Sequence, residues 1–295
     1  MRAGRSSARS QMDRRQGAAR RRGASLLRWP TRAARRRWLR RLRRVPATWR
    51  LIAGVLLLAI VGLAINGVYQ VLRKPTELFF PVSGVLAKTP RDTWREYGAA
   101  FRHFATPAIS PELLAALAQV EGSGNPLVRT YWRWTWGTRP FELYRPASSA
   151  VGMYQITDGT FAEARHYCIH HHALVQEGPW SDWRSCWLNS LYLRVLPRDA
   201  IELTAAYLDL KVNAILAQDH HADATLVQRE HLAAIIHLCG AGAAAVYAHR
   251  NFRIRDGERC GAHDPREYLR RVDEMRAVFT RLARADADDA AGGAQ

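Results

Sequence analysis

Acidic residues are almost missing from the start of this chain: residues 1 to 50 hold 18 Arg against one carboxylate, Asp13, and so carry +17 of the formal net charge of +18. That shortage rules out treating the basic balance as a property of the folded part, which is close to neutral. An Arg-rich arm with Gly, Ala and Ser is expected to be disordered. It lacks a folded recognition motif, so nucleic acid is not its expected partner. Anionic lipid headgroups are, because charge is then absent altogether from residues 51 to 72, where Asn66 and Gln70 are the only strongly polar side chains.

At about 1.5 Å per residue this run covers a hydrocarbon core of about 30 Å. It is longer than the apolar stretch of a cleavable signal, and no clear Ala-x-Ala site or lipidated-Cys pattern follows, so an uncleaved signal anchor is expected. The basic excess on its amino-terminal side places residues 1 to 50 in the cytoplasm and the rest outside. The expected location is a bacterial inner membrane, crossed once, with a periplasmic domain.

Cysteine is absent from the arm and the span; all four, Cys168, Cys186, Cys239 and Cys260, lie on the exported side. An even count in an oxidising compartment points to two disulfides. Three pairings exist, and Cys168 with Cys186 and Cys239 with Cys260 are preferred because each would close one local loop. His166, Cys168, His170, His171 and His172 crowd together, but no paired C-x-x-C spacing occurs and consecutive His side chains cannot all face one ion, so no metal or other cofactor is expected.

Alternating strand patterns are few and no internal repeat stands out. Residues 73 to 106, with Pro75, Pro81 and Pro90, are expected to form a stalk, residues 107 to 282 one domain, and residues 283 to 295 a disordered tail. Helical spacing covers 111 to 120, 158 to 170, 197 to 217, 229 to 238 and 265 to 282. The fold class is mainly α, a helical domain with long loops behind one transmembrane helix.

Glu121 ends the first of these helices and is followed by Gly122, Ser123, Gly124, Asn125 and Pro126. Ser110 as N-cap, Pro111 and Glu112 mark the helix start. Glu121 falls on the face of Leu113, Leu114 and Leu117. An apolar face and the negative end of the helix dipole both disfavour an ionised carboxylate, which suits a general acid. Taken alone, the segment fits a solvated helix-terminal Glu better, because most carboxylates are exposed.

Further on, Tyr131, Trp132, Trp134 and Trp136 surround Arg133, then come Phe141, Tyr144 and Arg145. Trp134 and its neighbours could stack on sugar rings, with Arg holding hydroxyls or carboxylates; they could equally bury as a satellite cluster under the loop. The segment from Ser148 to Thr157 carries Gly152, which allows close backbone approach, and Gln155, a donor and acceptor for hydroxyl or acetamido groups.

Residues 121 to 126 resemble the E-S-x-x-N-P motif of the lytic transglycosylase SLT family, and residues 150 to 156 resemble its G-A-x-G-L-M-Q-[IL] motif. Residues 236 to 242 are similar to its A-Y-N-A-G-P-G motif, and Glu267, Tyr268, Leu269, Arg270, Arg271 and Val272 to its acidic-Y-V-basic element. The likeness runs from about residue 107 to 282. It implies a lysozyme-like fold acting on peptidoglycan glycan strands, cleaving between N-acetylmuramic acid and N-acetylglucosamine to give 1,6-anhydro products without water.

In that scheme Glu121 is the one acid and base, Gln155 orients substrate and Tyr268 hydrogen-bonds near the carboxyl, with Gly152, Tyr154 and His237 lining the cleft. Ordinary glycoside hydrolysis needs two carboxylates; Glu142 and Asp158 are the nearest candidates for a second, and each also fits a loop charge or a helix cap. Gly122, Tyr154, His237 and Leu238 depart from the family pattern, so its polar contacts to the N-acetyl sugar near 237 do not carry over. His237 reads better as a satisfied cleft histidine than as a catalytic one. Two alternatives stay open: a muramidase hydrolase of the same fold, and a non-catalytic peptidoglycan-binding scaffold working with protein partners in an envelope machine.

Overall fold

The computed structural model describes residues 45–79, 84–135, 142–182, 185–219, 221 and 223–292. Most of the basic arm (1–44), together with Trp136 and Phe141, lies outside them. The chain divides into two compact units between Gly62 and Leu63. The described part of the first is the start of helix α1 (Ala47–Arg73), whose 27 residues are long and apolar enough to cross a membrane.

The second unit is mainly helical. After two 3-10 turns, Pro75–Phe79 and Gly84–Leu86, come α2 (Pro90–Phe104), α3 (Pro111–Gly122), the hairpin β1 (Trp132–Trp134) and β2 (Tyr144–Pro146), and α4 (Asp158–Ala164). A second hairpin follows, β3 (Tyr167–His170) with β4 (Ala173–Gln176), then α5 (Pro197–Gln218), α6 (Leu226–Cys239), α7 (Ala241–His249) and α8 (Pro265–Gly292). Both hairpins are antiparallel, pairing Trp134 with Tyr144 and Cys168 with Val175.

Helix α3 is the centre of the core. Its residues from Leu113 to Ala118 are all fully buried, as befits a helix apolar on every side, and α2, α5 and α8 pack around it. Two buried acids fasten this packing. Asp209 on α5 accepts from Thr106 Oγ1 at 2.5 Å, and Glu230 on α6 is engaged by Ser110 and Arg276. Burial pushes both carboxyls up from their ordinary values, against the hydrogen bonds from Thr106 and Ser110.

Three expectations are corrected. Residues 90 to 104 are not stalk: Pro90 occupies a first helical position behind the N-cap Thr89, and Trp94, Tyr97, Phe101 and Phe104 of α2 are buried in the core. The helix expected over 158 to 170 stops at Ala164, and Tyr167–His170 pair as a strand, because His171 and His172 take positive φ values (50° and 63°) and turn the chain. The last helix runs on past 282 to Gly292, where Asp286 accepts from Trp94 Nε1 at 2.8 Å.

The cysteines pair as preferred, Cys168 with Cys186 (Cα–Cα 5.5 Å) and Cys239 with Cys260 (5.3 Å). The second bridge joins the end of α6 to the loop before α8 across 21 residues. Replacing Cys239 and Cys260 by Ser should therefore cost about 3 kcal/mol of stability. Thermal unfolding of the variant is expected at a melting temperature lower by roughly 6–12 °C.

Candidate active site

Ser110 caps α3 by accepting from Leu113 N at 3.1 Å, and Pro111 stands at the first helical position. The other end closes on Ser123 in a left-handed conformation (φ 51°), with Ser123 N–H donating to Gln119 O and Gly124 N–H to Ala118 O. Glu121 thereby sits in the last turn with its side chain 20% exposed, neither solvated nor sealed in.

Two side chains meet its carboxyl. Tyr268 on α8 is 1% exposed and donates its hydroxyl to Glu121 Oε1 at 2.6 Å. Burial, then the charge of Glu121, hold this phenol well above its ordinary value, so it stays protonated and remains a donor. His237, in the last turn of α6, brings Nε2 to 3.8 Å from the same oxygen. Both contacts fall on Oε1, so they orient the carboxyl and leave Oε2 for another partner.

The turn before α4 is pressed against the end of α3. A Cβ on Gly122 would come within 2.7 Å of Met153 O and 2.8 Å of Met153 Cα, so no larger residue fits there without movement of the backbone. Gly152 adopts φ +79°, and a Cβ on it would lie 2.3 Å from Arg194 O. Gln155 is itself left-handed (φ 49°), and its Nε2 donates to Gly152 O at 2.9 Å and to Val128 O at 3.2 Å. Its donors are thus spent on the turn, while among the described residues its Oε1 has no hydrogen-bond partner.

Gln155 and His237 line a cavity of about 230 Å³, with Thr157, Thr160, Tyr207 and Gly240 among the other walls. Among the described residues no Asp or Glu lines it, and Glu121 itself reaches it only through His237. The two carboxylates considered as a second acid are engaged elsewhere: Asp158 pairs with Arg194 at 2.7 Å, and Glu142 pairs with Arg73 at 3.1 Å and Arg145 at 3.0 Å.

Glu121, Tyr268, His237, Gln155 and Gly152 are therefore gathered into one region. Neither Tyr154 nor Trp134 lines that cavity. Tyr154 is fully buried and donates its hydroxyl to Leu114 O at 3.0 Å, so it is a core residue that holds the turn onto α3. Trp134 lies on β1 with its ring 4.8 Å from that of Tyr144, in a hairpin fastened to α1 by Asn66 Nδ2, which donates to Tyr144 O at 2.6 Å.

Sequence reasoning missed Arg194, which donates to Ser149 O at 3.1 Å and Ile156 O at 2.8 Å and so holds both ends of the turn. It lies in an aperiodic loop, and no motif marks it. Among the described residues one cluster could hold an ion by distance, Cys168, His170 and Cys186, with ligand atoms within 4.8 Å of one another. Its two sulfurs are joined in the disulfide, whereas metal binding needs thiolates. No protein-family model and no curated protein matches the chain.

Proposed function

We propose that this protein is a membrane-anchored peptidoglycan lytic transglycosylase of lysozyme-like fold, with Glu121 as its one acid and base. The observation that carries the reading is the isolation of that carboxyl: Tyr268 and His237 meet one oxygen, among the described residues no second carboxyl lines the adjoining cavity, and Asp158 and Glu142 are committed to arginines. A site with one carboxyl cannot run the two-carboxylate scheme of ordinary glycosidases. It can run a reaction in which the substrate supplies its own nucleophile.

Glu121 gives its proton to the oxygen linking N-acetylmuramic acid to N-acetylglucosamine, and the acetamido oxygen of the muramyl residue closes on C1 as the bond breaks. The carboxylate then takes the proton of the C6 hydroxyl as that oxygen attacks C1 and displaces the acetamido group. The product is a 1,6-anhydro ring, and the proton count balances without water. Gln155 Oε1 is free to accept from a sugar hydroxyl or acetamido N–H. Among the described residues one helix is apolar and long enough to span a bilayer, which supports the anchor, and the basic arm before it favours a cytoplasmic amino terminus.

Digestion of sacculi by the full-length protein in detergent tests the reading. Mass spectrometry should find soluble muropeptides with 1,6-anhydro ends. Ends carrying an added water would make the protein a hydrolase, and intact sacculi would leave only a binding role. Tyr268→Phe removes the hydrogen bond that stabilises Glu121 as the carboxylate it becomes on giving up its proton, worth about 1.5–3 kcal/mol. The initial rate of product release should fall about 10- to 100-fold, with the substrate dependence little altered.

A further inference from the structure

The aromatic hairpin has a place in the structure that its sequence does not announce. The charge-free run of residues 51 to 72 is about 33 Å long as a helix, little more than the roughly 30 Å of a hydrocarbon core. If it spans a bilayer, its last turns are needed inside. Asn66 precedes Arg73 by seven residues, about 10 Å along the helix, and its side chain donates to the carbonyl of Tyr144 at 2.6 Å. The hairpin therefore lies at membrane depth, not beyond it.

The contact is also what a bilayer would demand. Asn66 and Gln70, the two strongly polar residues of the run, share one helix face and are the two residues of α1 that the protein buries. Around them apolar surface stays open: Trp134 is 59% exposed, Leu143 on the same hairpin 38%, and Leu193, which lines a cavity of about 580 Å³ together with Gln70 and Arg73, 54%. Arg73 and Arg145 both pair with the carboxylate of Glu142, and Arg133 on β1 is exposed, which places cations where lipid phosphates would lie. Aromatic rings with cations at their margin suit the bilayer interface.

We propose that the β1–β2 hairpin and the Leu193 loop are seated in the phospholipid leaflet that α1 leaves at Arg73, so that the aromatic segment binds lipid and not sugar. This rests on the reading of α1 as a membrane span. The full-length chain is reconstituted in nanodiscs of phosphatidylethanolamine and phosphatidylglycerol. A nitroxide is attached to Trp134→Cys, and in separate proteins to Leu58→Cys within the span and to Val246→Cys on α7 as the water control. Collision with oxygen and with a nickel chelate then reports depth.

Position 134 should be oxygen-accessible and nickel-shielded like position 58, and opposite in sign to position 246. Leu193→Cys decides in its place should the Trp134 variant fail to fold. A lipid signal at 58 with a water signal at 134 overturns the seat and leaves the anchor standing. A water signal at 58 itself overturns the anchor and the seat together.

Discussion

Glu121→Gln lowers the release of muropeptides from sacculi by on the order of 10³-fold, within the range that a general acid–base group supplies. The amide keeps the shape of the side chain and an oxygen that can accept from Tyr268, so α3 and its packing should be undisturbed. What is lost is the transferable proton, and among the described residues no other carboxyl lines the adjoining cavity to replace it, while Asp158 is held by Arg194 and Glu142 by Arg73 and Arg145. Initial rates on sacculi, read beside an unchanged circular-dichroism spectrum and melting temperature, are the check. Activity left near the native level would remove Glu121 from the chemistry.

Glu77→Ala has the largest expected effect on stability, about 3–5 kcal/mol, because it strips the acceptor from a buried charge cluster. The Glu77 side chain is 1% exposed. Its Oε2 accepts from Trp132 Nε1 at 2.8 Å and from Arg129 Nη1 at 3.4 Å, while Lys74 Nζ lies 3.3 Å from Oε1, an ion contact outside good hydrogen-bond geometry. Burial pushes the Lys74 ammonium below its ordinary value, and the charge of Glu77 opposes that shift. Without Glu77 the two cations face one another and the indole loses its partner. Lys74 also donates to Ala150 O at 2.8 Å, so the loss reaches the segment leading to Gln155. The full-length variant in detergent should melt roughly 10 °C lower, and an unchanged melting temperature would contradict the role given to this cluster.

The sequence made some of this legible and hid the rest for physical reasons. Helix α3 could be read from Ser110, Pro111 and its leucines, and the carboxyl at its end from the glycines that follow, because caps and turns act within a few residues. Helix α2 was readable too, since Thr89, Pro90 and Asp92 form a start signal, but Pro90 taken as a breaker concealed it. The β3–β4 hairpin was not readable, because its turn rests on two left-handed histidines. Tyr154 was placed in the cleft by its position in a motif, whereas the structure spends its bulk on the core. The hairpin that carries Trp134 is fastened to α1 by Asn66 donating to Tyr144 O, a contact across 78 positions that no local pattern encodes.

The same logic separates what Glu121 needs from what the anchor needs. The carboxyl is oriented by α8 and α6 through Tyr268 and His237, and the turn carrying Gln155 is held by Arg194 and Lys74. A defect at the α1 junction should therefore weaken positioning of the turn before it touches the acid.

The most direct measurement is digestion of sacculi by the full-length protein in water enriched in oxygen-18, followed by mass spectrometry of the new muramyl ends. A lone acid and base that directs the C6 hydroxyl onto C1 predicts 1,6-anhydro ends without heavy oxygen. Reducing ends carrying one heavy oxygen each would mean that water attacks, and would contradict the account of Glu121.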